Sequence, residues 1–451
     1  MQDEARHEET GVSLRAPESV QKLQTALHAK AKETPTYRFY TLYDKLYRED
    51  VLAHAWRLAK ANGGAAGVDG QTFRDIEEYG VERWLGELAE DLRKKTYRPQ
   101  PVRRVYIPKP DGRKRPLGIS TIRDRVAETA AVLILSPIFE ADLQPEQYAY
   151  RPGRNAHDAV RRIHSLLNSG YRDVVDADLA DYFGSIPHSE LMSSVARRVS
   201  DRHMLHLIKQ WIAVPVEEED GRGGKRRTAE ARHTKRGIPQ GAPISPLLSN
   251  IYMRRFVLGW KVLGHAGRLD AHIVNYADDL TILCRGTAEK AMNAMREMMA
   301  RLKLTVNEEK TRLCCVPEST FDFVGYTFGR CYSARGRPYI GSRPSKKSIA
   351  KVRRALSELT NRRWLLIDTD LQVAKLNRVL TGWANYFCLG PVNKVYRSID
   401  AHVGERLCRW LCKKHKTPGR GTARFPYEHL YQKLGLKRLS LTTRDLPWAK
   451  A

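Results

Sequence analysis

The stretch HIVNYADDLTILC, His272 to Cys284, decides how this chain folds. Two apolar runs, Ile273–Val274 and Leu280 to Leu283, flank Tyr276-Ala277-Asp278-Asp279, the pattern of a β-hairpin with a tight polar turn. Adjacent Asp278 and Asp279 repel each other at its tip, and a cation relieves that repulsion. Hard divalent ions take oxygen ligands, commonly one or two carboxylates together with substrate phosphates. For the dipeptide taken alone a solvated Asp-Asp turn is the better account, so the rest of the chain has to decide.

Upstream, RDVVDADLADYFGSIPH (Arg172 to His188) opens a strand at Val174–Val175. Alternation puts Asp176 and Asp178 on one face, and only one of them need be a ligand. Asp181 reads as a helix-start cap or turn residue ahead of the aromatic pair Tyr182-Phe183. In RGIPQGAPISPLLSNIYM (Arg236 to Met253) a Gly/Pro loop feeds a helix opened by Ser245 or Pro246, with Leu247, Leu248, Ile251 and Tyr252 on its apolar face. Such a loop lets backbone approach a nucleotide or template closely. Val216 to Thr234 is a charged, Gly-bearing surface hairpin. Downstream, Thr287 to Leu304 is an amphipathic helix whose Met292, Met295, Met299 and Leu302 are core. LTVNEEKTRLCCV follows as a strand around a charged turn with Lys310, and FDFVGYTF (Phe321 to Phe328) as one further strand.

Nearer the N-terminus, PVRRVYIPKPDGRKRPLGIS (Pro101 to Ser120) is a hairpin turning at Pro110-Asp111-Gly112. Lys109 and Arg115 sit on its two arms, a point charge and a bidentate donor suited to a triphosphate. Arg123 to Phe139 is a buried helix, and YAYRPGR (Tyr148 to Arg154) is a loop whose Arg151 and Arg154 suit a nucleic-acid strand. The run from Tyr37 carries helical spacing as far as the Gly63-Gly64 breaker. Residues 1–35 read as a polar, loosely held extension with one helical segment, Pro17 to Lys32. Beyond Pro344 the spacing predicts three helices, Ser345 to Trp364, Leu371 to Phe387 and Val395 to Cys412. The first is strongly basic through Lys346, Lys347, Lys351, Arg353, Arg354, Arg362 and Arg363, and the tail adds Lys413, Lys414 and Arg420. Charge runs are usually solvated faces, but a basic helical bundle beside a phosphate-handling domain suits a duplex clamp. The domain expectation is therefore 1–35, 36–335, 340–414 and 415–451.

With 451 residues there is room for two or three domains. Lys and Arg number 78 against 51 acidic residues, a formal charge of +27, which calls for a polyanionic partner, most simply nucleic acid. A membrane surface is the alternative, but no apolar run spans a bilayer and MQDEARHEET lacks a signal-peptide layout. The seven scattered cysteines suit reduced thiols in a cytoplasmic protein. Cys408, Cys412 and His415 lack a fourth zinc ligand and regular spacing, so helix-borne thiols explain them better.

Taken together, carboxylates from separate strands can hold two metals about 3.5–4 Å apart, clamping the attacking and leaving oxygens of an in-line displacement. The Lys/Arg hairpin would hold the triphosphate, and Lys310 could protonate the leaving pyrophosphate. This is the plan of a nucleotidyl transferase.

The order and wording of these blocks resemble a reverse transcriptase of the group II intron maturase family. YADD (Tyr276 to Asp279), QGAPISPLLSNIYM (Gln240 to Met253), IPKPDGRKRPLGI (Ile107 to Ile119), LTVNEEKTRL (Leu304 to Leu313), FVGYTF (Phe323 to Phe328) and GWANYF (Gly382 to Phe387) carry the likeness, from about Tyr37 to the C-terminus. The resemblance implies an α+β fold, a right-hand polymerase with fingers and palm followed by an α-helical thumb/maturase domain. It makes Asp178, and not Asp176, the partner of Asp278 and Asp279 as catalytic residues and metal ligands, with two Mg²⁺ ions for which Mn²⁺ can substitute. Phe183 falls at the aromatic gate that collides with a ribose 2′-OH and so selects dNTPs; Tyr182 is the alternative if the register slips by one. Lys109 and Arg115 match the triphosphate pair, and Gln240 lies beside the nascent base pair. The implied partners are group II intron RNA, an RNA template with a DNA primer, target DNA and dNTPs, in a bacterial cytoplasm and on the nucleoid when DNA is bound. The implied activity is RNA-directed DNA synthesis during retrohoming, with assistance to splicing. Two departures stand out: Gly184 replaces an Asp common in relatives, and Ala277 varies a position without catalytic duty. The Cys-paired HNH endonuclease domain of many relatives has no counterpart before Ala451, which resembles a compact lineage and implies no DNA cutting. The competing readings are a splicing cofactor with an idle polymerase, and a reverse transcriptase of a retron, diversity-generating or defence system. The intact Asp178, Asp278, Asp279 and Lys310 disfavour the first, and the maturase-like helices disfavour the second.

Overall fold

The computed structural model describes residues 14–108, 114–219, 224–333, 335–417 and 424–443. Lys109, the Pro110–Gly112 turn and Arg420 lie outside the described residues. The strands used below are β1 (Val102–Pro108), β2 (Lys114–Ile119), β3 (Asp173–Asp178), β4 (Val216–Glu219), β5 (Lys225–Thr228), β6 (His272–Tyr276), β7 (Asp279–Cys284), β8 (Arg312–Cys315), β9 (Phe321–Phe323), β10 (Tyr326–Tyr332) and β11 (Pro338–Pro344). The principal helices are α1 (Glu18–Glu33), α2 (Glu49–Asn62), α3 (Ile122–Glu140), α4 (Ala156–Asn168), α5 (Ser245–Val262), α6 (Ala288–Arg301), α7 (Lys346–Leu359), α8 (Thr369–Tyr386) and α9 (Asn393–Lys414). Helix and sheet are thus mixed, as the α+β expectation requires. The chain divides into two compact units, 1–152 with 179–263 and 295–307, and 153–178 with 264–294 and 308–451.

In the first unit, β1 and β2 form the expected antiparallel hairpin, with Ile107 opposite Arg115. The charged insertion pairs as β4 and β5, and β4 runs parallel to β1 at Val102–Val216, giving the order β2-β1-β4-β5. Helix α3 is buried along most of its length, as its apolar run requires. Helix α1 corrects the expectation of a loosely held extension. Val20, Leu27 and Ala31 are buried, Gln24 Nε2 donates to the Leu133 carbonyl at 3.0 Å, and Arg198 donates to the carbonyls of Ala31, Thr34 and Pro35. Burying the Val20 and Leu27 side chains contributes about 3–6 kcal/mol. The polar faces of α1 hid that narrow apolar stripe.

In the second unit, β3 is inserted between β7 and β8 in an all-antiparallel sheet of order β6-β7-β3-β8. Val174, Val175 and Ala177 are buried, so both faces of β3 are covered. FDFVGYTF is not one strand. Phe323 pairs with Tyr326, and Val324 and Gly325 form a two-residue loop with φ of +41° and +85°. Two successive positive φ angles suit a hairpin whose turn twists with its strands, and Gly pays no steric penalty there. The three C-terminal helices pack around Leu356, Leu376, Leu380, Ile399, Leu407 and Trp410. Cys408 and Cys412 are buried thiols of the same core. The first helix is shorter than expected: α7 stops at Leu359, and Arg362 and Arg363 belong to a separate 3₁₀ turn.

Candidate active site and nucleic-acid surface

The carboxylates come together because β3 ends where β7 begins. Asp178, the last residue of β3, pairs in register with Asp279, the first of β7. Tyr276 also opposes Asp279, leaving Ala277-Asp278 as the hairpin loop, with Ala277 at φ +57°. Asn275 is fully buried beneath this tip and donates Nδ2 to the carbonyls of Ala277 (2.9 Å) and Asp279 (3.3 Å). Those two bonds hold the loop that carries Asp278. Sequence reading passed over Asn275; the signal was a polar residue at an inward position of an otherwise apolar strand.

Cations face the carboxylates from the β8 side. Lys310 Nζ donates to Asp178 Oδ2 at 2.9 Å, and the Asp178 N–H donates to Thr311 Oγ1 at 3.3 Å. Arg312 Nε donates to Asp176 Oδ2 at 3.1 Å, so Asp176 already has a cationic partner across the β3–β8 ladder. Burial, followed by the charges of Asp278, Asp178 and Asp176, pushes Asp279 up to about 7, opposed by Lys310. Burial also raises Asp176, with Arg312 opposing.

This donor set is all oxygen and carries excess negative charge, which is the chemistry a hard divalent ion requires. Among the described residues no three acidic, His or Cys side chains already converge as a metal cage, and the Lys310 ammonium holds Asp178 instead. The residues fit a divalent ion by chemistry and strand register.

The first unit contains a cavity of about 670 Å³ lined by Arg115, Tyr150, Phe183, Gln240 and Gly241 among others. Gly241 has φ +111°, and a Cβ there would stand 2.6 Å from the Gly118 carbonyl. The Gly118 N–H donates to the Gln240 carbonyl at 2.7 Å, so glycine is what lets this loop lie on β2. Tyr182 is buried with its hydroxyl donating to the Ser249 carbonyl at 2.7 Å, leaving Phe183 as the ring on the cavity wall. Asp181 does not cap the short helix Tyr182–Ser185; it sits at φ +43°, and its Oδ1 accepts from Gln240 Nε2 at 3.4 Å. A Cβ on Gly184 would come 2.1 Å from Asp181 Oδ2, so an Asp at 184 would displace that carboxylate.

The basic residues divide. Lys346, Lys347, Lys351, Arg353, Arg354, Arg362, Arg363 and Lys413 are exposed, and Arg154 is half-buried. Two others are corrected. Arg151 turns inward, donating Nε to Glu140 at 3.0 Å and Nη1 to the carbonyls of Gln144 and Gln147, each at 2.7 Å. It braces the end of α3, because a buried guanidinium needs its donors satisfied. Lys414 is likewise occupied, donating Nζ to the carbonyls of Leu365 (2.9 Å) and Ile367 (2.7 Å).

Residues 107–328 match the family "Reverse transcriptase (RNA-dependent DNA polymerase)", whose members generally use divalent metals, and residues 349–426 match "Group II intron, maturase-specific domain". Protein YkfC of Escherichia coli (strain K12) is 31% identical over 76% of this chain and 97% of that protein. Group II intron-encoded protein LtrA of Lactococcus lactis subsp. cremoris is 32% identical over 86% of this chain and 79% of its own length. Nuclear intron maturase 2, mitochondrial, of Arabidopsis thaliana is 31% identical over 26% of this chain and 16% of its own. No helix among the described residues is long and apolar enough to cross a membrane. The chain belongs to the group II intron-encoded reverse transcriptases with a maturase domain, RNA-directed DNA polymerases that also bind intron RNA and assist its splicing.

Proposed function

We propose that Asp178, Asp278 and Asp279 hold two Mg²⁺ ions, with Mn²⁺ able to substitute, and that the chain uses them to extend a DNA primer on an RNA template with dNTPs. The observation that carries this reading is the facing of Asp178 and Asp279 on adjacent strands, with Asp278 beside them and Lys310 on Asp178. A bound metal would lower the pKa of the attacking 3′-hydroxyl and neutralise charge on the leaving pyrophosphate, held there by Asp178, Asp278 and Asp279. Asn275 fixes the loop that presents Asp278, and Thr311 fixes the end of β3. As the primer 3′-hydroxyl gives its proton to solvent water and its oxygen bonds to the α-phosphorus, the bond to pyrophosphate breaks, and Lys310 is the proton donor to that leaving group. Lys109 and Arg115 bind the triphosphate, Phe183 closes the space a 2′-OH would need, and Gln240 lies against the nascent pair.

The remaining assignments follow the same reading. Residues 36–335 form the fingers and palm, 340–414 the thumb/maturase domain and 415–451 a basic nucleic-acid segment. The exposed Lys346, Lys347, Lys351, Arg353 and Arg354 of α7 supply phosphate contacts. Target DNA is a further ligand, and the working compartment is the bacterial cytoplasm and nucleoid. The test is extension of a DNA primer on an RNA template with Mg²⁺ and dNTPs, beside Asp278→Asn. Product that disappears in the variant while RNA binding persists is the expected result. Equal loss of synthesis and RNA binding would make the Asp pair structural, and no product from the unaltered chain would leave an RNA-binding splicing role alone.

A further inference from the structure

Away from the carboxylates, the second unit contains a groove of about 910 Å³ along one face of α9. Its floor carries His402, Glu405 and Arg409, spaced along one stripe of the helix; Arg353 of α7 and Tyr427 also line it. The volume falls within the range of about 300–1,000 Å³ typical of small-ligand pockets. Tyr427 is 55% exposed, a large aromatic surface left in solvent. Its ring is nearly parallel to that of Tyr431, at 13° with centroids 6.2 Å apart. Glycine at 404 permits this placement, since a Cβ there would come 3.0 Å from Tyr427 Cε1. Arg353 is steadied by a 2.7 Å bond from Nη2 to Ser398 Oγ, and Arg409 pairs with Glu405 one turn away. His402 Nε2 lies 3.1 Å from Ser357 Oγ and 3.2 Å from the Arg353 carbonyl.

An exposed ring in a groove that also carries the Arg409 guanidinium suits a planar base joined to an anion, because every nucleotide has a base face to stack and a phosphate to neutralise. We propose that this groove holds one unpaired nucleotide of RNA, its base against Tyr427 and its phosphate on Arg409. Glu405 is a carboxylate in the same groove, and it accepts from an exocyclic amino group, favouring adenine, cytosine or guanine over uracil. The assignment rests on the RNA-binding reading of the maturase unit and adds a site for a single base to it. The basic face of α7 reads only phosphates, whereas this groove distinguishes unpaired from paired RNA.

The test uses the full chain with excess primer–template duplex present, and measures fluorescence anisotropy of labelled short oligo(A), oligo(C) and oligo(U). Tyr427→Ala should weaken oligo(A) and oligo(C) binding about tenfold, within the range expected for loss of one base–aromatic stack. Tyr427→Phe should restore it, and Arg409→Ala should weaken binding and lower the salt slope by about one. Primer extension by the same preparations should be unchanged. Wild-type affinity in both Tyr427→Ala and Arg409→Ala would overturn the site. So would equal weakening for a hairpin duplex of the same length, or absence of oligonucleotide binding by the unaltered chain. Primer extension, read separately, shows whether the polymerase stands when the groove does not.

Discussion

Asp279→Asn should abolish synthesis and at the same time stabilise the metal-free protein. In the sheet, burial and three neighbouring carboxylates raise Asp279 from 3.8 to about 7. The folded protein therefore keeps this proton to a higher pH than the unfolded chain does. Stability is fully present below the unfolded value near 4 and is lost as pH rises through about 7. A rise of about three units at about 1.4 kcal/mol each gives a penalty on the order of 4 kcal/mol once Asp279 is ionised. Asn carries no charge and escapes it. Urea unfolding in chelator should give matching stabilities for the two proteins near pH ~4, with the variant ahead by a few kcal/mol at about pH 8. Added Mg²⁺ should narrow the gap by stabilising the native unaltered chain, as any ligand of the folded state does. A difference that stays flat with pH, or a variant less stable at the alkaline end, would refute the electrostatic account of this site.

Three other outcomes follow from the same geometry. Phe183→Ala should raise rNTP use relative to dNTP use by about 10- to 100-fold, the scale of one pocket contact; unchanged sugar selectivity in single-nucleotide incorporation would move the gate elsewhere. Asn275→Ala leaves two inward carbonyls without their donor and should cost about 1–3 kcal/mol. Its catalytic mark should be a fall in kcat with little change in the KM for primer–template, and a normal kcat would mean that Asp278 needs no such brace. Gly325→Ala must accept φ +85° and a Cβ 3.0 Å from Ser348 Oγ. A loss of about 1–3 kcal/mol is expected in thermal unfolding, and a neutral result would show the β9–β10 loop free to change conformation.

The sequence made the polymerase blocks legible because each pairs a periodic apolar run with turn chemistry. The Asp278–Asp279 and β1–β2 hairpins appear with their arms paired, and Asp176 and Asp178 lie on one strand as expected. The failures share a physical cause, namely backbone angles and backbone carbonyl partners that residue type and spacing do not encode. Arg151 looked like a free cation until Glu140 and two carbonyls of the same turn region closed on it. Of the two readings of Asp181, cap or turn residue, the turn is the one that forms, with positive φ and a carboxylate that fills the space left by Gly184. The Val324-Gly325 turn was missed because Val is an unfavourable residue at positive φ, and only the paired strands on either side impose it. Asn275 stood out only as a polar residue on an apolar strand; its partners are backbone carbonyls, which side-chain patterns do not name.

The insertion of β3 between β7 and β8 also sets a schedule for synthesis. β3 is complete at Asp178, but its neighbours begin only at Asp279 and Arg312. At about 5–20 residues per second, β3 waits on the order of 5–20 s before its first partner emerges from the ribosome. During that interval Val174, Val175 and Ala177 lie on a strand with both edges open, the condition under which nascent chains pair with the wrong neighbour. A chain that stops short of Lys310 would leave that strand unpaired on one side and would carry no Lys310–Asp178 contact. Translation that pauses between Asp178 and Asp279 lengthens the exposure, so the yield of active enzyme depends on the rate of elongation through this interval as well as on final stability.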